Sequence, residues 1–256
     1  MNLSFEEFVN AISFSSIQPE SQVTPDQLCG SFLPPNFDQS IMRDLENTRL
    51  PVDDVLIKKK LNPLLQMPRM SSFAVGAIIH YGVSRMSSDE IYLNIGTWHG
   101  FSLFAGMLNN PDKTCVGVDN FSEFSGHVDS YGGVFPPVPI HFYKRFNQYR
   151  TEKHHFHEMD YQEYFKEIHQ GKIGFYFYDG EHSYKNQLEG LRAAEPFFAE
   201  ECVILVDDTN EEDPRKATLD FIAGSKNKYK TLLDKKTACV GHPTFWNGLM
   251  VLQRNW

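Results

Sequence analysis

The run Ile91-Tyr92-Leu93-Asn94-Ile95-Gly96-Thr97-Trp98-His99-Gly100-Phe101-Ser102 decides how the chain is read. Ile91 to Ile95 is mostly apolar and β-prone, which predicts a buried strand; Phe101 to Leu108 then predicts a helix. Between them, two glycines four apart form a strand-to-helix turn. Lacking a Cβ, each lets the backbone come close to a ligand. The spacing is not G-x-G-x-x-G, which disfavours a nicotinamide or flavin dinucleotide, and the absence of G-x-x-x-x-G-K-[ST] excludes a P-loop nucleotidase. Alone, the turn reads equally well as a plain structural bend.

Working outward, short apolar runs recur at Thr114 to Val118, near Phe156, at Ile173 to Tyr178 and at Cys202 to Val206. Helical patterns at Tyr161 to His169 and Tyr184 to Phe198 alternate with them. Such alternation predicts an α/β fold with a doubly wound, mostly parallel sheet. Candidate strands at Lys230 to Lys235 and Gly248 to Gln253 close the chain. The Gly241-His242-Pro243 loop before the last suggests an antiparallel C-terminal strand. Upstream, residues 1–68 read as an N-terminal helical extension, with Phe5, Phe8, Val9 and Ile12, then Ile41, Leu45 and Leu50, at helical spacing. Seven prolines keep its helices short. An amphipathic helix over about Arg69 to Met86 leads into the main domain, residues 69–256.

The chain has 256 residues, 41% of them hydrophobic, enough for a sizeable core. A net charge of −9 argues against a broad basic face for nucleic acid. No eighteen-residue apolar run exists to span a membrane. The acidic start does not resemble a signal peptide, so the cytoplasm is the expected location. Cys29, Cys115, Cys202 and Cys239 are scattered and read as free thiols.

In open parallel sheets, ligands bind beyond the carboxyl ends of the strands. The strand ends here are rich in acids. Asp119 closes the second strand 23 residues after Gly96, where a carboxylate can accept from both hydroxyls of a ribose. Glu158-Met159-Asp160 puts another acid on that edge. The fourth strand ends Asp179-Gly180-Glu181-His182-Ser183-Tyr184 and the fifth Val206-Asp207-Asp208-Thr209. Carboxylates gathered there repel one another. A hard cation would relieve them, and an all-oxygen set favours Mg²⁺. Solvated loop acids are the plainer alternative.

Taken in order, these segments resemble the class I S-adenosylmethionine (SAM)-dependent methyltransferases, and more narrowly the macrocin O-methyltransferase-like group. The resemblance spans roughly residues 66–254 and implies a Rossmann-like fold. It implies that Gly96 and Gly100 line the methionine half of SAM, with Asn94, Thr97, Ser102 and Asp179 in the same cofactor-binding set. Asp119 would hold the ribose, and Asp160 would lie near the adenine. Asp179, Asp207 and Asp208 match metal-binding acids, and Glu181 matches the proposed general base, with His182 as its rival. Asn94 departs from the family, which carries an acid there. Restoring the charge with Asn94→Glu is accordingly expected to tighten SAM.

The implied activity is O-methylation of a hydroxyl on a sugar or glycosylated small molecule, assisted by Mg²⁺. A non-catalytic SAM-binding or partner-binding protein is the alternative, and a dinucleotide oxidoreductase is a third. The helical extension offers a surface for a homodimer. His154, His155 and His157 read as decoration of the third strand, and Lys58 to Lys60 as a solvated helix face. Phe121 to Tyr149 reads as a long aromatic loop, whose rings either form a lid over the acceptor or simply pack.

Overall fold

The structure, a computed structural model, describes residues 3–30, 43–122 and 138–255. The chain opens with α1 (Phe5–Ala11), capped by a reciprocal Ser4–Glu7 pair. Strands β1 (Ser13–Phe14) and β2 (Thr48–Arg49) form a small antiparallel ribbon. Next come α2 (Asp54–Leu65) and α3 (Phe73–Arg85), which leads to β3 (Glu90–Ile95) and α4 (Phe101–Met107). Then follow β4 (Thr114–Asp119), α5 (Val138–Tyr149), β5 (His154–Glu158), α6 (Tyr161–Glu167) and β6 (Lys172–Tyr178). The last elements are α7 (Tyr184–Ala194), β7 (Phe198–Asp207), α8 (Glu212–Gly224), β8 (Lys228–Lys235) and β9 (Leu249–Asn255).

Seven strands form one sheet in the order β5-β4-β3-β6-β7-β9-β8. From β5 through β7 every neighbouring pair is parallel; β9 runs antiparallel to both β7 and β8. The expected doubly wound sheet with an antiparallel C-terminal strand is present. Its order reverses between β3 and β6, the place where such sheets bind ligands.

Two apolar layers cover the faces. One unites α1 to α5 with the sheet, and the other unites α6, α7 and α8 with the opposite face. Helix α3 departs from the amphipathic reading. Every residue from Phe73 to Val83 is buried, because the N-terminal segment covers its outer side. Phe8 stacks on Tyr81 at 3.8 Å, and Leu61, Leu64 and Leu65 join the same core. With about 1.5–3 kcal/mol for each large apolar side chain buried, the extension is part of the domain's core.

A buried ion pair pins this junction. Arg69 Nη1 lies 3.0 Å from Asp44 Oδ2, with side chains 1% and 0% exposed. Burial pushes the Asp44 carboxyl up, while Arg69 and the Phe73 N–H oppose that. The Arg69 guanidinium also lies over the Phe101 ring, 5.6 Å from its centre, at the start of α4. Lys58 is likewise less solvated than expected, its ammonium donating to the Thr48 carbonyl at 2.6 Å.

The long aromatic loop is partly a helix. Residues 138–149 form α5, whose Phe142 and Phe146 pack among Phe104, Phe121 and Phe156. Core packing therefore accounts for these rings. Phe124, Tyr131 and Phe135, like Ile41 upstream, lie outside the described residues. The four cysteines are free. Among the described residues, no helix is long and apolar enough to cross a membrane.

Candidate active site

The crevice at the reversal point is built by the ends of β3 and β6. Asp179 N donates to the Ile95 carbonyl at 2.8 Å, drawing the two strand ends together. Gly96 has φ +76°, and a Cβ there would stand 1.9 Å from the Asp179 carbonyl oxygen. Gly100 has φ +98° and starts α4. Only glycine satisfies both the close approach and the left-handed backbone.

Asn94 and Ser102 brace this turn. Ser102 Oγ donates to Asn94 Oδ1 at 2.8 Å, and Asn94 Nδ2 donates to the Gly96 carbonyl at 3.0 Å. Asn94 is fully buried. Both ends of its amide are engaged, so the residue that departs from the family works as a clamp between strand, turn and helix. An acid there would lose the donor to Gly96 and bury a charge beside a carbonyl. With this geometry, Asn94→Glu is expected to destabilise the protein by about 1–3 kcal/mol and to leave SAM affinity flat or weaker. Thermal unfolding and calorimetry check this; a folded variant that binds SAM more tightly would return Asn94 to the ammonium site.

Asp119 anchors the same turn from β4. Its Oδ2 accepts from the Thr97 N–H at 2.7 Å, the Trp98 N–H at 2.8 Å and the Thr97 hydroxyl at 3.2 Å. Its Oδ1 accepts from the Phe121 N–H at 2.8 Å. A carboxylate oxygen has two lone pairs, so Oδ1 keeps acceptor capacity for a hydroxyl. Asp160 caps α6, Oδ1 accepting from Gln162 N at 2.7 Å.

Across the crevice, Asp179, Asp207 and Asp208 come to one rim. Burial raises the pKa of each, and the neighbouring carboxylates push Asp179 and Asp207 higher. The rim does not form the expected metal set. His182 Nε2 lies 3.1 Å from Asp208 Oδ2 and 3.9 Å from Asp179 Oδ1, so an imidazole already faces two of the three acids. Among the described residues, no group of three or more His, Cys, Asp or Glu side chains could hold a metal ion. As placed, these side chains do not assemble a Mg²⁺ site. Nor do the histidines of β5 form such a group; His154 receives the Thr151 N–H and sits 3.3 Å from the Asn110 carbonyl.

The two candidate bases are placed differently. Glu181 is exposed, and its Oε2 accepts from Ser183 Oγ at 2.8 Å, next to the start of α7. His182 is mostly covered and faces Asp208. Asp208 has φ +54°, a left-handed conformation that costs a non-glycine residue about 1–3 kcal/mol and gathers at functional sites. His182 Nδ1, Asp207 Oδ1, Asp208 Oδ1 and Thr209 Oγ1, and both amide atoms of Gln187 in α7, are buried without a hydrogen-bond partner in the protein.

Sequence reasoning missed Gln187, Thr209 and the connection between β8 and β9. Residues 241–248 of that connection are buried throughout, although they include His242, Thr244 and Asn247. Polar residues in so continuous a buried run are the signal available before folding, and only packing against the 208–211 turn gives it meaning.

Residues 93–209 match the family described as a methyltransferase domain. The match runs from inside β3 to just beyond β7 and so contains the glycine turn, Asp119, His182 and Asp208. No curated protein matches the chain. Among solved structures, an S-adenosylhomocysteine-bound methyltransferase from Podospora anserina superposes with a TM-score of 0.56 at 14% identity, over 89% of this chain and 100% of that one. An O-methyltransferase from Bacillus cereus in complex with S-adenosylhomocysteine gives 0.53 at 17% identity, over 80% and 95%. At such identities the likeness establishes a shared Rossmann-like methyltransferase fold.

Proposed function

We propose that this protein is a SAM-dependent O-methyltransferase acting on a hydroxyl of a sugar or glycosylated small molecule. The observation that carries the reading is the pairing, across one crevice, of the Asp119-anchored glycine turn with the His182–Asp208 contact. The methyltransferase-domain match over residues 93–209 and the shared fold support it. A sugar hydroxyl is the acceptor class implied by the resemblance to the macrocin group.

Bound SAM would supply an electrophilic methyl group on sulfur. On this reading, Gly96 and Gly100 admit the methionine half, and Asp119 Oδ1 accepts from the ribose. Asp208 Oδ2 fixes the His182 ring through Nε2. Nδ1, covered in this structure, would then accept the acceptor's proton once the acceptor hydroxyl is seated against it. Holding oxygen, methyl carbon and sulfur in line is the larger part of such catalysis.

The test is calorimetric SAM binding together with S-adenosylhomocysteine formation from methyl glycosides and phenols, in buffer containing EDTA. We expect binding, turnover of a glycoside hydroxyl and no effect of the chelator. Loss of turnover in EDTA with binding intact would replace this reading with the Mg²⁺-assisted one. Binding without turnover of any acceptor would favour a non-catalytic SAM-binding protein.

A further inference from the structure

We propose that Asn247 is a positioning residue that holds the turn of residues 208–211 so that Asp208 faces His182. The inference deepens the reading above, and rests on it for its effect on turnover.

The turn follows directly from β7. Glu211 N donates to the Asp208 carbonyl at 3.0 Å, closing it. Asp208 holds its left-handed backbone although it is not glycine, so contacts from outside the turn must keep it there. Asn247 supplies them twice. Its carbonyl accepts from Asn210 N at 2.9 Å, and its Nδ2 donates to Glu211 Oε1 at 3.2 Å.

The loop that delivers Asn247 is itself held firmly. Trp246 and Gly248, on either side, both have positive φ, at +57° and +86°. His242 and Trp246 exchange main-chain hydrogen bonds at 3.0 and 3.1 Å. Asn210 Nδ2 donates to the Thr237 carbonyl and hydroxyl, both at 3.0 Å, joining the turn to the far side of the loop. Asn247 is 3% exposed, so its amide is fixed rather than free to rotate into solvent. Its side chain is thus one of the polar groups that couple the β8–β9 connection to the turn carrying Asp208, and through the 3.1 Å contact to the His182 ring.

The test compares crystal structures and imidazole ¹⁵N spectra of the wild type, Asn247→Ala and Glu211→Ala. Glu211 is exposed, so its variant tests the same tether if Asn247→Ala fails to fold. We expect Asp208 to leave the left-handed region, the His182–Asp208 contact to open and the His182 ¹⁵N signals to shift, with the sheet unchanged. Glu211→Ala should show the same changes in weaker form. A folded variant that keeps Asp208 in place and the His182 signals unmoved would overturn the proposal. Where a glycoside turns over, kcat should fall by up to about 100-fold with the KM for SAM unchanged, as misplacement of a reacting group predicts. An opened contact with wild-type kcat would sink the role of His182 as base while leaving the positioning inference intact.

Discussion

Asp119→Ala is expected to weaken SAM binding by about 2–4 kcal/mol, the sum of a lost charge-assisted contact and a loosened turn. The carboxylate has two jobs in this structure. Its Oδ2 gathers the Thr97 and Trp98 N–H groups, and its Oδ1 keeps room for a ribose hydroxyl. Removing it leaves those turn donors without their acceptor, so thermal stability should drop along with affinity. Asp119→Asn separates the two jobs. The amide keeps one acceptor but presents an NH₂ group either to the turn or to the ribose. Calorimetry checks the first effect and thermal unfolding the second. An unchanged affinity in Asp119→Ala would remove Asp119 from the cofactor site.

His182→Ala should lower kcat by about 10²–10⁴-fold, the usual contribution of a general base, with SAM affinity close to wild type. Glu181→Gln should stay near wild-type activity, because Glu181 is turned to Ser183 and solvent. This contrast decides between the two acids and bases that the segment Asp179 to Tyr184 offers. A healthy His182→Ala beside a dead Glu181→Gln would reverse the assignment and restore the residue that the family resemblance favours.

The sheet was legible because its signals are local. The central parallel strands are apolar runs buried on both faces, as Ile173 to Tyr178 and Cys202 to Val206 are, whereas the edge strand β5 is polar and partly exposed. The turn at Gly96 and Gly100 advertised itself because only glycine tolerates those backbone angles. The acids of the rim were legible for a related reason, as strand ends recur at the same edge of a parallel sheet. Helix α5 was not, because its apolar face of Phe142 and Phe146 follows a long aromatic stretch with no boundary signal of its own. Helix α3 read as amphipathic because nothing in residues 69–86 announces that Phe8 and its neighbours, far upstream, will cover its outer side.

From sequence alone came the α/β class, the doubly wound order of elements, the antiparallel last strand, and the edge on which Asp119, Asp179, Asp207 and Asp208 stand. These follow from periodicity and turn chemistry within a few residues of each position. Tertiary structure decided what each of those groups does. Asn94 became a clamp because Ser102 and the Gly96 carbonyl fall on either side of its amide. Asp208, and at longer range Asp179, came to face His182 because a side chain from the β6–α7 loop reaches the end of β7. Asn247 entered the site across nearly forty residues of sequence, brought by the antiparallel pairing of β9 with β7. Contacts of that range leave no period in the chain, because they depend on where separate elements meet after packing and not on the residues beside them.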